Sequence, residues 1–206
     1  MDQPAAKRKT VVVWLLLAAA VLVPIGFAAA SPLQASRDAV WIFGGMAGVV
    51  ALALLLVQPM LAAGLLAGPT IPTARRWHRW IGATIVVAVV LHVGGLYLAS
   101  PEDITDALLL VAPTPFSVYG VIGLWSVVLT ALLVAFRSKL GLRYTSWRIV
   151  HNVLSVVVVV CSIVHAILIE GAMDLVSKAI LCALVFAATA MALFRVHVKR
   201  PASNDS

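Results

Sequence analysis

Six apolar stretches, each about as long as a bilayer is thick, dominate this sequence. A hydrocarbon core of about 30 Å is crossed by roughly 20 helical residues. Because lipid cannot hydrogen-bond the backbone, such stretches must satisfy their polar groups internally as helices. We therefore expect an all-α, polytopic membrane protein built as a bundle of six transmembrane helices. The predicted spans are Val11–Ala30, Ala39–Leu66, Trp80–Ala99, Ser117–Phe136, Arg148–Ile169 and Leu175–Phe194.

Composition excludes a water-soluble globule, since 63% of the residues are hydrophobic and only 11% are charged. Thirteen of the fifteen Lys and Arg residues fall in the N-terminus, the second loop, the fourth loop and the C-terminus; the exceptions are Arg37 and Lys178. The positive-inside rule then predicts that both termini are cytoplasmic, in a bacterial-type inner membrane. We attribute the net charge of +7 to the basic loops that set the topology and contact anionic lipid, and we expect no nucleic-acid partner.

The first span has two interpretations. KRKT before an apolar run that ends in FAAAS also resembles a secretory signal with a small-residue cleavage site, and cleavage would leave five spans. Continuation of the apolar run from Pro24 to Ala30 favours retention. We therefore divide the chain into a cytoplasmic segment at 1–10, one membrane domain at 11–196 and a cytoplasmic tail at 197–206. Between the third and fourth spans, the loop with an acidic start predicts a short surface helix, either a connector or a lid.

Four of the five histidines lie in the spans, as two pairs with the same separation of 14 residues: His78 with His92, and His151 with His165. Fourteen helical residues return to within about 40° of the starting direction and rise about 21 Å, so each helix presents two imidazoles on one face at two depths. The third and fifth spans run in the same direction. We therefore expect His78 to meet His151 at the inner level and His92 to meet His165 at the outer level.

Two facing imidazoles in apolar surroundings suit axial ligation of a haem iron. Zinc usually requires three or four protein ligands together, and each level offers two. Intramembrane histidines also occur in transporters and proton relays, which is the alternative from another functional class. We identify no general acid, base or nucleophile in the sequence.

Residues around the histidines suggest how haem would be held. Ser155 and Ser162 are candidates to accept a hydrogen bond from the second ring nitrogen of a ligand. Small residues at Gly82, Gly94 and Gly95 leave room for a flat ring, whereas two further glycine pairs, Gly44 with Gly48 and Gly64 with Gly68, have the spacing of close helix contacts. Arginines near the inner level are candidate partners for haem propionates: Arg75, Arg76, Arg79 and Arg148.

The segments RRWHRWIG…LH and LGLRYTSWRIVHN…CSIVHA resemble the ferric-reductase-like transmembrane domain over about residues 40–196. This resemblance implies a six-helix module in which His78, His92, His151 and His165 hold two b-type haems and pass electrons to an outer acceptor. The second segment also resembles the haem subunit of a periplasmic methionine-sulfoxide reductase system, which is the alternative within the redox class.

The resemblance also implies partners. Full-length ferric reductases carry a flavin- and NAD(P)H-binding domain after the last helix, whereas the sequence here ends at Ser206. We therefore expect a separate flavin-containing reductase or membrane quinol as the electron donor, and a periplasmic protein as a possible acceptor. Whether the chain is itself an oxidoreductase or a component of one is left open at this stage.

Overall fold

The computed structural model describes the backbone of residues 3–198 and the side chains of residues 7–195. Within that part of the chain the fold is all α-helical, with six long helices and one short helix and without strands. The helices are α1 Gln3–Ala29, α2 Ala39–Ala62, α3 Ile71–Ala99, α4 Pro101–Leu108, α5 Pro115–Ala135, α6 Tyr144–Leu168 and α7 Leu175–Val198. All six long helices contain a stretch that is long and apolar enough to cross a membrane. The chain is therefore a multi-pass membrane protein, as predicted.

Two of the helices begin well before the apolar stretch that predicted them. Helix α3 starts at Ile71, because the Thr70 hydroxyl accepts a hydrogen bond from the Thr73 amide and Pro72 occupies the first turn. Helix α6 starts at Tyr144, four residues before the predicted span. Both helices therefore begin with residues that precede the predicted apolar stretches, including Arg75 and Arg76 in α3 and Tyr144 and Trp147 in α6. Helix α1 likewise runs through most of the segment predicted at 1–10.

Helix α2 ends at Ala62, four residues before the predicted boundary. Gly64 and Gly68 have φ values of 61° and 106°, which glycine adopts without steric cost and which interrupt a right-handed helix. The interpretation of Gly64 and Gly68 as a helix-packing pair was therefore wrong, since both lie in the turn between α2 and α3. The tail predicted at 197–206, including Lys199 and Arg200, lies almost entirely outside the described residues, and so does the side chain of His197.

Two antiparallel helix pairs, α2 with α3 and α5 with α6, form the main packing units. Helix α7 packs against both α2 and α6, and α1 covers the outside of α2 and α7. Helix α2 is the most enclosed span, and its leucines join α7 in the hydrophobic core, whose well-buried members include Ala53, Leu56, Leu61, Leu181 and Val185. This arrangement leaves the inward faces of α3 and α6 opposite each other in the interior.

The predicted short helix between the third and fourth spans is present as α4. It begins with Pro101, Glu102 and Asp103, and acidic residues in a first turn favour helix formation through the helix dipole. None of its residues is buried, and Leu109 to Val111 just after it are exposed. The structure therefore shows a surface helix, and its role as a connector or a lid stays a prediction.

Candidate functional site

Four histidines of α3 and α6 meet in two facing pairs, which we call the inner pair (His78 and His151) and the outer pair (His92 and His165). Inner denotes the end that carries the basic loops. The ring centres are 6.3 Å apart in the inner pair and 6.4 Å apart in the outer pair, with ring planes inclined at 69° and 79°. The rings are therefore brought together in the pairs predicted from helix direction. Their role as ligands stays a prediction.

The separation between the rings matches the space that a shared metal ion needs. An imidazole nitrogen lies about 2.0 to 2.1 Å from a metal that it ligates, so one ion between two opposed imidazoles places their ring centres about 6 Å apart. Among the described residues no group of three His, Cys, Asp or Glu side chains could hold a metal ion. Each level thus offers two facing imidazoles, the number of ligands that axial ligation of a haem would require.

Backbone carbonyls orient three of the four imidazoles. His92 Nδ1 lies 2.8 Å from the carbonyl oxygen of Gly44, and His165 Nδ1 lies 2.9 Å from that of Phe116. His78 Nδ1 lies 3.2 Å from the carbonyl oxygen of Gln58. A carbonyl can only accept, so Nδ1–H is the donor in these three contacts, and a neutral ring then keeps its lone pair on Nε2. Such a bond fixes the ring orientation and makes the imidazole a stronger metal ligand.

The serines proposed as hydrogen-bond partners of the ligands do not have that role, and this expectation was wrong. The Ser155 hydroxyl donates to the carbonyl oxygen of His151, one turn before it on the same helix, at 2.7 Å. Serine in a helix commonly bonds in this way, because the carbonyl four residues earlier is within its reach. The acceptors for three of the four imidazoles come instead from the neighbouring helices α2 and α5.

His151 differs from the other three histidines. Its Nδ1 is buried and has no hydrogen-bond partner among the described residues. The Trp147 indole instead stacks on the His151 ring, with centres 5.2 Å apart and planes inclined by 10°. Tyr144 stacks on Trp147 in turn, and the Arg137 guanidinium lies 4.5 Å from the centre of the indole. The imidazole of His151 is thus held by aromatic packing rather than by a carbonyl.

Glycines clear the space beside the outer pair. A Cβ atom added at Gly48 would lie 2.7 Å from His92 Nδ1, and one added at Gly120 would lie 2.8 Å from His165 Nδ1. Gly44 and Gly95 bring the backbones of α2 and α3 together, so the predicted close contact at Gly44 is present. Gly95 therefore serves helix packing rather than space for a flat ring. Sequence spacing did not reveal the relation of Gly48 and Gly120 to the histidines, although each glycine follows the accepting carbonyl by four residues.

The four arginines singled out from the sequence lie near the inner pair in the chain. Arg75, Arg76 and Arg79 are exposed near the start of α3. Arg148 is half-buried near the start of α6, with its guanidinium 5.8 Å from the centre of the Tyr144 ring. The structure thus places all four at the end of the bundle where the inner pair lies. Contact with a haem propionate stays a prediction for each of them.

Comparison with known proteins decides the family. The family described as ferric reductase like transmembrane component matches residues 45–162, more than half of the chain. The chain belongs to the ferric reductase-like transmembrane family. The resemblance seen in the sequence is thereby confirmed, although the matched region is shorter than the predicted 40–196. No curated protein and no solved structure matched the chain.

The family match and the geometry of this ferric reductase-like protein are complementary. The matched region contains His78, His92 and His151, and it ends three residues before His165. The structure adds His165 to these three histidines, because its ring faces that of His92 at nearly the same distance as the ring of His151 faces that of His78. The four imidazoles therefore form two facing pairs between α3 and α6, at two levels of the bundle.

Proposed function

We propose that this protein is a membrane cytochrome b that carries electrons from the inner to the outer end through two bis-histidyl haems. The observation that carries this proposal is the repetition of one ring separation, 6.3 and 6.4 Å, at two depths between the same two helices. Fourteen residues separate the levels on each helix, a rise of about 21 Å. Two redox centres spaced in this way would span most of the hydrocarbon core of about 30 Å.

The residues around the site have distinct roles in this proposal. His78 and His151 would hold one haem, and His92 and His165 the other, each through Nε2. When bound, haem b supplies reversible one-electron chemistry at iron, with a potential that depends on the ligands and their burial. Gly44, Gln58 and Phe116 orient three of the ligands through their carbonyl oxygens. We assign Arg75, Arg76, Arg79 and Arg148 to the propionates of the inner haem.

We propose a separate flavin-containing reductase or membrane quinol as the electron donor. For the final acceptor we propose a group at the outer end, as in ferric reductases. A periplasmic reductase that receives the electrons is the alternative within the same class, and co-purification of a soluble partner would favour it. The proposed location is a bacterial-type inner membrane with both termini in the cytoplasm, where basic residues at the inner end would face anionic lipid.

The first experiment is a reduced-minus-oxidised absorption spectrum of the purified protein, combined with extraction of haem to obtain the haem-to-protein ratio. We expect a low-spin b-type spectrum and two haems per chain. A ratio near one would leave only one level occupied and would contradict the two-haem assignment. A colourless protein after expression with adequate haem would overturn electron transfer and favour a histidine-dependent transporter or proton relay.

Single substitutions test the pairing of the ligands. His92→Ala and His165→Ala should each remove the outer haem and leave the inner one, because both histidines contribute to the same level. His197→Ala is the control, since His197 has no second histidine 14 residues away in the sequence. Two haems per chain in either outer-level variant would contradict the pairing.

A further inference from the structure

The outer pair is built with a repeated backbone device that the inner pair lacks. In α2 the carbonyl of Gly44 accepts from His92, and Gly48 follows it by four residues. In α5 the carbonyl of Phe116 accepts from His165, and Gly120 follows it by four residues. The same arrangement therefore occurs on two different helices against two different histidines.

The four-residue interval has a physical reason. A helical carbonyl already accepts the N–H of the residue four positions later, so a second donor must approach it beside that residue. A side chain at this position would occupy the place of the imidazole. The distances show the conflict directly, since an added Cβ would lie 2.7 and 2.8 Å from Nδ1 of His92 and His165, and 2.8 and 2.9 Å from their Cε1 atoms.

The inner pair shows that this device is not a general consequence of helix packing. His78 Nδ1 lies 3.2 Å from the Gln58 carbonyl, and the residue four positions after Gln58 is Ala62. His151 has no carbonyl partner and is stacked on Trp147. Gly82, one turn after His78, lies beside the side chain of Gln58 rather than beside an imidazole, since an added Cβ would lie 2.8 Å from Gln58 Nε2.

We propose that Gly48 and Gly120, each with the carbonyl four residues before it, form two glycine seats that position the outer imidazoles. Each seat holds its histidine as the Nδ1–H tautomer and leaves Nε2 free for iron. The two glycines are positioning residues, because they act on the metal through His92 and His165. This inference extends the proposed haem function, but the seats and the tautomers they impose are properties of the chain alone.

The chain offers a matched control for each seat. An added Cβ at Gly45 would meet only the Trp41 ring at 3.6 Å, and one at Gly123 would meet Cys161 Cβ at 3.6 Å, both ordinary contacts. Gly48→Ala is therefore compared with Gly45→Ala on α2, and Gly120→Ala with Gly123→Ala on α5. Each comparison involves the same change three residues apart on one helix, so a general effect of alanine cancels.

The first readout requires no haem. Nitrogen-15 NMR of full-length, haem-free protein labelled at histidine distinguishes a protonated from an unprotonated ring nitrogen, and His92→Gln and His165→Gln assign the signals. We expect both outer histidines to be Nδ1–H tautomers in the wild type. Gly48→Ala should give a mixture at His92 and leave His165 unchanged, Gly120→Ala should do the reverse, and both control variants should match the wild type.

The second readout is haem retention at the outer level. Loss of a partner that orients a metal ligand typically lowers metal affinity 10- to 100-fold, so both seat variants should lose the outer haem at dilutions at which the controls keep it. The proposal is overturned if the wild-type imidazoles are Nε2–H tautomers, or if seat and control variants behave alike. If a seat variant fails to fold, the tautomers of His92 and His165 in the wild-type protein test the proposal on their own. Absence of haem from the wild type would reject the proposed function, and the NMR result would still decide on the seats.

Discussion

Two adjacent glycines of α3 should respond in opposite directions to the same substitution. A Cβ added at Gly95 would lie 2.9 Å from Gly44 Cα and 3.2 Å from Gly44 N, so it would press against the backbone of α2. A Cβ added at Gly94 would meet nothing within 4 Å. Gly95→Ala should therefore force α2 and α3 apart, whereas Gly94→Ala should be accommodated without a structural change.

The magnitude follows from two opposing effects. Inserting a methyl group into a tightly packed contact costs about 1 to 3 kcal/mol, and the upper part of that range applies here because a backbone cannot rotate away as a side chain can. Replacing glycine by alanine inside a helix stabilises the helix by up to about 1 kcal/mol. We therefore expect Gly95→Ala to lower the free energy of unfolding by about 2 kcal/mol, and Gly94→Ala to raise it by up to about 1 kcal/mol.

Reversible unfolding in mixed micelles of a mild detergent and dodecyl sulfate, followed by circular dichroism, measures both free energies. The histidine signals provide an independent check, because separation of α2 from α3 should also weaken the bond between His92 and the Gly44 carbonyl. Equal stability of Gly95→Ala and Gly94→Ala would refute the reasoning. It would mean that the backbone contact between the two helices is looser than the structure shows.

Two further predictions concern the ends of the bundle. Trp147→Leu should broaden the low-spin electron paramagnetic resonance signal of the proposed inner haem and not that of the outer one, because the indole stacks on the His151 ring, whose Nδ1 has no hydrogen-bond partner among the described residues. Trp147→Phe keeps an aromatic plane and is the control; equal broadening of both signals would contradict this. At the start of α7, the Ser177 hydroxyl and then the amides of Ser177 and Val176 hydrogen-bond Asp174 and hold its pKa below the ordinary value of 3.8. A pKa that is lowered on folding stabilises the folded protein at pH values above the ordinary pKa, and this contribution is lost as the pH falls through the pKa of the folded state. Asp174→Asn removes the titrating group, so this variant should lose less stability than the wild type in acid unfolding below about pH 4. An unchanged acid profile would exclude this contribution.

Sequence patterns were sufficient for the six spans and for the pairing of the histidines, and for specific reasons. The length of each apolar run matches the thickness of the hydrocarbon core. A 14-residue interval that is repeated on two helices of the same direction places the histidines at two matching depths, so each ring can meet only the ring at its own depth. The helix ends were less accurate. The start of α3 depends on the Thr70 cap, and the end of α2 depends on the positive φ of Gly64. Neither is visible as an apolar run.

The orientation of the imidazoles could not be derived in the same way, because it depends on which helices are neighbours. The accepting carbonyls lie 48 and 49 residues before their histidines, on helices whose packing no local pattern specifies. Serines on the histidine helix itself were the nearest polar groups in sequence, which is why they were the natural but wrong choice. A glycine four residues after a carbonyl becomes informative only when a histidine is known to face it.

Two residues lie halfway between the histidine levels and bear on what can pass through the bundle. Ile85 is seven residues from both His78 and His92, and Val158 is seven residues from both His151 and His165. Both are buried and belong to the same hydrophobic cluster. A proton relay requires a chain of polar groups or water along its path, whereas these two side chains at mid-depth are apolar. Electrons can tunnel past apolar side chains, whereas neither side chain could carry a proton, so Ile85 and Val158 are consistent with the proposed electron transfer.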